Sequence, residues 1–503
     1  MSLKRNITFN YISQIYVTLM GIIMLPLYIK YMGAEAYGLV GFFTMLQAFF
    51  GLLDLGLTPT IARETARYRA GVLTALEYRQ LFRALSLIFA IIAVAGGGGL
   101  YLASELVATH WLNVGNLSLD EVLFSLQIMA ISVALRWMCG LYRGVVTGSE
   151  RLVWLSGFSA LVATLRFVIV LPIMWYFGFT PFVFFVYQLQ IALIEIAVLG
   201  FKGRKLLPAG KELKKPIGWS FRPVTTVLKF ALTIAFTSSV WVLVTQTDKL
   251  IISGILSLEE YGYFTLAVLV ASGIMVIGGP ISSAIMPRMA RLYAEGKNKE
   301  LIRIYRNSTQ LISVIAGSAA ITLAFCAEQL LFAWTGDALL AAKAAPILQL
   351  YAIGNGFLAV TAFPYYLQYA KGDLRYHLIG NAGMVVMLIP SIVLAAVDFG
   401  GIGAGYVWLA MNGAYLTVWV AYVHHKLEPG LHWQWMLNDV MKIAIPASVV
   451  ALLITMLDLD WSTRTTSFIY VVFVGGGAIA CSLVCSKLMR AFVMNRLARR
   501  SLV

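Results

Sequence analysis

The stretch IAFTSSVWVLVTQTDKLIISGILSLEEYG, residues 234–262, decides the fold class of this chain. It is apolar over a membrane-spanning length, yet two adjacent charges, Asp248 and Lys249, sit deep inside it. A charge at the bilayer centre costs about 2.5–3.5 kcal/mol even on lenient insertion scales, so it needs a partner or a wet cavity. Ser238, Ser239, Thr245, Gln246 and Thr247 surround the pair with hydroxyls and amides suited to a watery path. The stretch lies near mid-chain, and the sequence after it repeats a pattern found near the N-terminus.

Composition agrees with this reading. Of 503 residues, 60% are hydrophobic and 12% charged, with a mean hydropathy of +0.83. A soluble domain has about 45–50% apolar and about 25% charged residues, so the chain is expected to be an all-α integral membrane protein. The first apolar run is long enough to span and lacks a small-residue cleavage site, so no signal peptide is expected. Cys139, Cys326, Cys481 and Cys485 fall in apolar runs without metal-ligand spacing. They read as small packing residues, and neither a metal nor a cofactor is expected. The histidines (His110, His377, His424, His425 and His432) lie near span ends, which argues against a proton relay at mid-membrane.

Apolar runs of about 20 residues predict fourteen spans, near 10–32, 37–60, 82–104, 121–146, 152–177, 180–201, 226–255, 260–287, 307–334, 344–370, 377–397, 402–424, 441–458 and 466–489. With the N-terminus inside, 32 of the 38 Lys and Arg fall on the cytoplasmic side. Only Lys30, Lys343 and Arg464 fall outside, and Arg136, Arg166 and Lys249 lie within spans. This positive-inside bias predicts that both termini are cytoplasmic. It also accounts for the net charge of +15, with anionic membrane lipids as partners. Nucleic acid is not expected, because the basic residues are scattered over short loops. The longest of these, 202–223, mixes lysines with Trp219 and Phe221 and is expected to lie on the membrane surface as a link between halves.

The halves look duplicated. Tyr37-Gly38 recurs as Tyr261-Gly262, and Arg63, Tyr68 and Gly71 recur as Arg288, Tyr293 and Gly296. Glu105 and Trp111 match Glu328 and Trp334, Gly148 and Arg151 match Gly372 and Arg375, and Phe177-Gly178 matches Phe399-Gly400. Six spans per repeat, an even number, predict two parallel six-helix lobes plus two C-terminal helices. The expected divisions are an N-lobe at 1–205, a cytoplasmic linker at 206–225, a C-lobe at 226–427, and a final pair with a basic tail at 428–503. Two such lobes suggest a transporter working by alternating access. Gly21 and Pro26, Gly96–Gly99, Pro280 and Pro364 mark points where spans are expected to bend, or simply to be repaired by neighbours.

Six charges fall within spans: Asp54, Arg136, Arg166, Glu195, Asp248 and Lys249. None is shared between the repeats: Arg136 falls opposite Leu358, Arg166 opposite Ile389 and Glu195 opposite Thr417. Unshared charges are better candidates for function than for scaffold. Helical spacing aligns Ser132, Arg136, Gly140 and Arg143 on one face, and Ser156, Ser159 and Arg166 on another. Gln188 and Glu195 align likewise, as do Asn10, Gln14 and Thr18. Arg136, Arg166, Lys249, Asn10, Gln14 and Gln246 are therefore candidate cavity residues for substrate, with guanidinium forks suited to phosphate. Asp54, Glu195 and Asp248 are candidates for ion coupling. The alternative is structural: Arg166 paired with Glu195, Lys249 with Asp248 or Asp54, and Arg143 an anchor of topology.

Two stretches carry a family resemblance: YMGAEAYGLVGFFTMLQAFFGLLDLGLTPTIARETA at 31–66 and QTDKLIISGILSLEEYGYFTLA at 246–267. They resemble the polysaccharide-biosynthesis branch of the multidrug/oligosaccharidyl-lipid/polysaccharide exporter superfamily, the O-antigen flippases often called Wzx. The resemblance implies a non-enzymatic flippase of a bacterial inner membrane, serving lipopolysaccharide or related polymers. It would move a polyprenyl-pyrophosphate-linked oligosaccharide from the cytoplasmic to the periplasmic leaflet through a cationic cavity. It also implies H+ or Na+ as coupling ions to be tested, polymerase machinery as a partner, and an apolar groove for the lipid tail at Gly475–Ala478. Relatives that flip the peptidoglycan precursor carry arginines in the first span, and this chain has none there after Arg5.

Two other readings compete. A multidrug or cation antiporter of the same superfamily would want a cavity dominated by carboxylates, whereas the span charges here are balanced. A membrane polysaccharide polymerase would need a catalytic loop, and the longest outside loop offers only Glu105, His110 and Asp120. No G-x-x-x-x-G-K-S/T loop for nucleotide occurs.

Overall fold

In the computed structural model the described residues are 3–209, 216–457 and 459–490. The middle of the expected linker, 210–215, and the end of the basic tail, 491–503, lie outside them. The protein is all-helical. Among the described residues the β-structure amounts to an isolated bridge between Asn113 and Ser257. Among the described residues, eleven helical stretches are long and apolar enough to cross a membrane. Expected spans 377–397 and 402–424 fall in one of these, Arg375–Leu427, whose backbone breaks at Gly400 (φ 57°, ψ −138°). The expected spans 226–255 and 260–287 are helical but are not among the eleven.

The chain divides into two compact units, Met1–Gly262 and Tyr263–Val503. The first unit holds helices α1 (Leu3–Ile23), α2 (Leu25–Met32), α3 (Ala34–Phe50), α4 (Leu57–Arg69), α5 (Ala75–Leu102) and α6 (Leu119–Gly148). It continues with α7 (Leu152–Ala163), α8 (Val170–Phe177), α9 (Pro181–Leu206) and α10 (Arg222–Ser253). The unit boundary thus falls after α10, whereas the sequence repeat divides the lobes at 206–225. In the second unit the main helices are Asn298–Phe325, Ala338–Lys371, Arg375–Ala414, Lys442–Thr455 and Arg464–Cys485.

Local chemistry sets the helix ends. Thr74 and Glu77 form a reciprocal capping box at the start of α5, which satisfies two otherwise orphan backbone donors. Thr180 caps α9, with Pro181 at the position where a missing N–H costs nothing. The second expected span, 37–60, is interrupted. Gly51–Asp54 winds as a 3-10 turn, and Leu55 and Gly56 both take positive φ (45° and 68°) before α4 starts. Asp54 bridges this break: its Oδ1 accepts from Thr58 N at 3.2 Å and from Thr58 Oγ1 at 2.5 Å.

Backbone motifs recur at the repeat spacing. Gly71 (φ 77°) and Gly296 (φ 72°) end their helices alike. Val72 N donates to Arg67 O and Lys297 N to Leu292 O, in the same pattern. The sequence sets Gly148 against Gly372, but the backbone equivalent of Gly372 (φ 74°) is Glu150 (φ 57°), two residues on, with Arg151 N on Val146 O and Asp373 N on Gln368 O. The Tyr-Gly pairs meet one another directly. A Cβ on Gly38 would strike the carbonyl of Leu258, and one on Gly262 the carbonyl of Ala34. The contact is reciprocal, as a two-fold-like packing of equivalent segments requires, and only glycine permits backbones so close.

A loop straps this junction. Glu35 accepts from the backbone N–H groups of Gly115 (2.7 Å) and Asn116 (2.9 Å). Asn113 Nδ2 donates to the carbonyls of Ile255 and Leu256, and Trp111 Nε1 to Ser253 Oγ. In the second unit the small residues at 475–478 largely serve close packing: a Cβ on Gly475 would meet Thr322, and one on Gly477 would meet Ile454.

Candidate functional site

Four charged residues of the first unit, Arg136, Arg143, Arg166 and Glu195, gather where α6 packs against α9, α3 and α7. Arg136, on α6, is partly buried and engaged by amides. Its Nη1 donates to Gln47 Oε1 at 2.9 Å, and its Nη2 to Gln188 Oε1 at 2.7 Å. The guanidinium lies 5.0 Å from the Phe43 ring centroid, a cation–π distance. Its Nε is buried without a partner.

Arg143, two turns further along α6, takes the carboxylate. Its Nη2 is 2.5 Å from Glu195 Oε1, and its Nη1 donates to Ser159 Oγ at 3.2 Å. The structural alternative pairs Glu195 with Arg166; the ion pair instead joins Glu195 to Arg143. Arg143 is thus part of the cluster and more than an anchor of topology. Its place on the Arg136 face is visible from spacing, but its partner depends on how α9 is turned.

Arg166 stands in a short π-helical segment, Thr164–Ile169. It lies within Coulombic range of Arg136, Arg143 and Glu195. Its Nε is buried and unpartnered, and its guanidinium makes no hydrogen bond within the described residues. Three guanidiniums against one carboxylate leave an excess of two positive charges in a membrane-depth site. Such an excess of positive charge suits an anion that accepts forked hydrogen bonds.

The other candidates are placed differently. Lys249 stays on its own helix: its Nζ donates to Thr245 O at 2.6 Å and lies 3.4 Å from Asp248 Oδ1. Asp248 is buried, and its Oδ1 also accepts from Lys249 N at 2.8 Å. Gln246 bonds its neighbour Thr245 at 3.5 Å. Asn10 and Gln14 are exposed on α1, whose Ser13 and Tyr16 bond to Ser156 O and Thr164 Oγ1. Asp54 serves the start of α4, as described above. Gln47 carries no signal in the sequence, because no helical spacing links it to Arg136 on another helix. Among the described residues no three of His, Cys, Asp or Glu cluster to hold a metal.

Solved transporters of the MOP superfamily share this fold. A solved structure of the lipid II flippase MurJ, inward closed, matches with a TM-score of 0.75 at 14% identity, covering 97% of this chain and 100% of that one. An inward-facing multidrug resistance MATE family transporter of the MOP superfamily matches with a TM-score of 0.63 at 12% identity, covering 82% and 94%. A Pyrococcus furiosus MOP superfamily transporter, described as having a binding pocket of reversed polarity, matches with a TM-score of 0.53 at 14% identity, covering 84% and 96%. The chain itself belongs to the family of polysaccharide biosynthesis proteins, whose sequence model matches residues 3–293. No curated protein sequence matches it.

Proposed function

We propose that this protein is a flippase that carries a polyprenyl-diphosphate-linked oligosaccharide from the cytoplasmic to the periplasmic leaflet of a bacterial inner membrane, with both termini cytoplasmic. The single observation that carries this reading is Arg166, a guanidinium within an expected span that makes no hydrogen bond among the described residues and has Arg136 and Arg143 in Coulombic range. A diphosphate diester has two ionised oxygens and accepts forked hydrogen bonds, which matches the surplus charge and geometry of guanidinium. The head would enter this site while the lipid tail stays in the bilayer. The membrane potential, negative inside, favours outward movement of an anion by about 2.3 kcal/mol per charge at 100 mV. Asp54, Glu195 (held by Arg143) and Asp248 (held beside Lys249) are the carboxylates to test for H+ or Na+ coupling. Delivery to polysaccharide polymerase machinery would follow. The excess of cations speaks for an anionic cargo and against a lipophilic cation.

The test is export of sugar polymer in cells that depend on this protein. Arg166→Ala should stop export while the protein stays at normal level in the membrane, and Arg166→Lys should restore it only in part. Full export by Arg166→Ala would overturn the reading.

A further inference from the structure

The helix bearing Arg166 changes winding at the site. Between α7 and α8 the segment Thr164–Ile169 is π-helical, a form that occurs mostly as single turns inside α-helices and frequently at functional sites. Three successive carbonyls of this segment each accept a side-chain hydrogen bond. Leu165 O accepts from Tyr187 Oη at 3.0 Å, Arg166 O from Gln188 Nε2 at 3.0 Å, and Phe167 O from Tyr28 Oη at 2.6 Å. At the segment's first residue, Thr164 Oγ1 bonds Ala160 O at 3.0 Å and Tyr16 Oη at 2.7 Å. Donors from α1, α2 and α9 thus hold the wide turn open. An extra residue in a turn rotates the downstream helix by about 100° relative to an unbroken α-helix, so this pinning fixes where the Arg166 side chain emerges.

Gln188 has a second task. Its Oε1 accepts from Arg136 Nη2 at 2.7 Å while its Nε2 donates to the peptide oxygen of Arg166. One side chain, only 3% exposed, therefore ties one guanidinium to the backbone of the other. The link needs an acceptor and a donor on the same terminal group. An amide has both, an ionised glutamate only accepts, and a lysine only donates.

We propose that Gln188 is the positioning and selectivity residue of the anion site: it fixes the Arg136–Arg166 spacing and so the preference for a diphosphate over a monophosphate head. The inference rests on the anion-site reading above. Two linked phosphates must meet two guanidiniums at a set separation, Arg166 and the remaining Nη hydrogens of Arg136, whereas a single phosphate is satisfied by Arg166 alone. Loosening the link therefore weakens diphosphate binding selectively.

The test is titration of the purified full-length protein with farnesyl diphosphate and with farnesyl monophosphate. Wild type should bind the diphosphate more tightly. Gln188→Leu, similar in size without hydrogen bonds, should weaken diphosphate binding about ten-fold and monophosphate binding far less, in line with loss of a charge-assisted bond. Tyr28→Phe removes one pin of the π turn without touching either guanidinium, and should narrow the preference in the same sense. Should Gln188→Leu not fold, Tyr28→Phe and Gln188→Asn decide by the same ratio. A diphosphate preference unchanged in the folded variants, with binding lost in Arg166→Ala, overturns the role of Gln188 alone. Diphosphate binding unchanged in Arg166→Ala overturns the anion-site reading beneath it.

Discussion

Arg143 Nη2 lies 2.5 Å from Glu195 Oε1, while the other carboxylate oxygen, Oε2, is buried with no partner. The two members are unequal. The Glu195 side chain is 5% exposed and that of Arg143 is 33% exposed. A guanidinium left alone here can reach water, whereas the buried carboxylate loses its hydrogen bond from Arg143 and keeps only the Coulombic attraction of Arg136 and Arg166. Removal of one partner of a buried pair costs about 3–5 kcal/mol, most of it the stranded charge.

Arg143→Ala should therefore lower the stability of the folded protein by about 3 kcal/mol, the lower part of that range because Arg136 and Arg166 still attract Glu195, and Glu195→Ala by less. Thermal unfolding in one detergent measures both. The double variant Arg143→Ala/Glu195→Ala should be more stable than Arg143→Ala alone. Equal losses from the two single variants would contradict the asymmetry.

At the Tyr-Gly junction, a methyl group has no room. Gly38→Ala drives a Cβ into the Leu258 carbonyl, and Gly262→Ala drives one into that of Ala34. Each should cost about 1–3 kcal/mol, the usual range for overpacking. Because both substitutions push apart the same two segments, the double variant should cost less than the two singles added together. Additive losses would mean that the two contacts do not share one interface.

The loop strap gives a local readout. Glu35→Ala removes the carboxylate that binds Gly115 N and Asn116 N, in an exposed setting where overall stability changes little. Hydrogen exchange at those two amides should speed up by about ten-fold, the effect of losing about 1.4 kcal/mol of local protection. Exchange in the buried helix α6 should not change. Unaltered exchange at Gly115 and Asn116 would show that the strap is held by Asn113 and Trp111 instead.

How much of this is legible in the sequence depends on distance along the chain. Hydropathy locates the apolar helices, because burial in lipid leaves a compositional signature in every span. The duplicated Tyr-Gly and Gly71/Gly296 signals are legible because each is a local backbone requirement. Arg136 and Arg143 are visible on one face, since both belong to one helix. Their partners are not: Gln47 and Glu195 sit on helices whose rotation no local pattern encodes. The π turn at Thr164–Ile169 is illegible for the same reason. Its donors Tyr28, Tyr187 and Gln188 come from α2 and α9, whereas α-helical spacing carries Arg166 straight on from Ser159. For Lys249 the sequence leaves open a cavity role or a pairing with Asp248 or Asp54; in the structure the neighbouring Asp248 carboxylate and a carbonyl one turn back hold its Nζ.

A second buried pair allows the asymmetry to be tested away from the anion site. In the second unit Asp439, with no exposed side-chain surface, stands in another π turn, Met436–Met441. It accepts from Arg306 Nε at 2.6 Å and from Gln310 Nε2 at 2.7 Å. The Arg306 side chain is 29% exposed. Arg306→Ala leaves a fully buried carboxylate held by the neutral amide of Gln310, which should cost about 3–5 kcal/mol. Asp439→Ala leaves a guanidinium with an outlet to water, and Gln310 keeps its bonds to Ser486 Oγ and Leu488 N through Oε1. That variant should lose less, and Asp439→Asn less again, since an amide still accepts from Arg306. Thermal unfolding should therefore rank the variants Arg306→Ala below Asp439→Ala, and Asp439→Ala below Asp439→Asn. An Arg306→Ala protein as stable as wild type would mean that Gln310 alone satisfies Asp439, and that the ion pair contributes little to the fold.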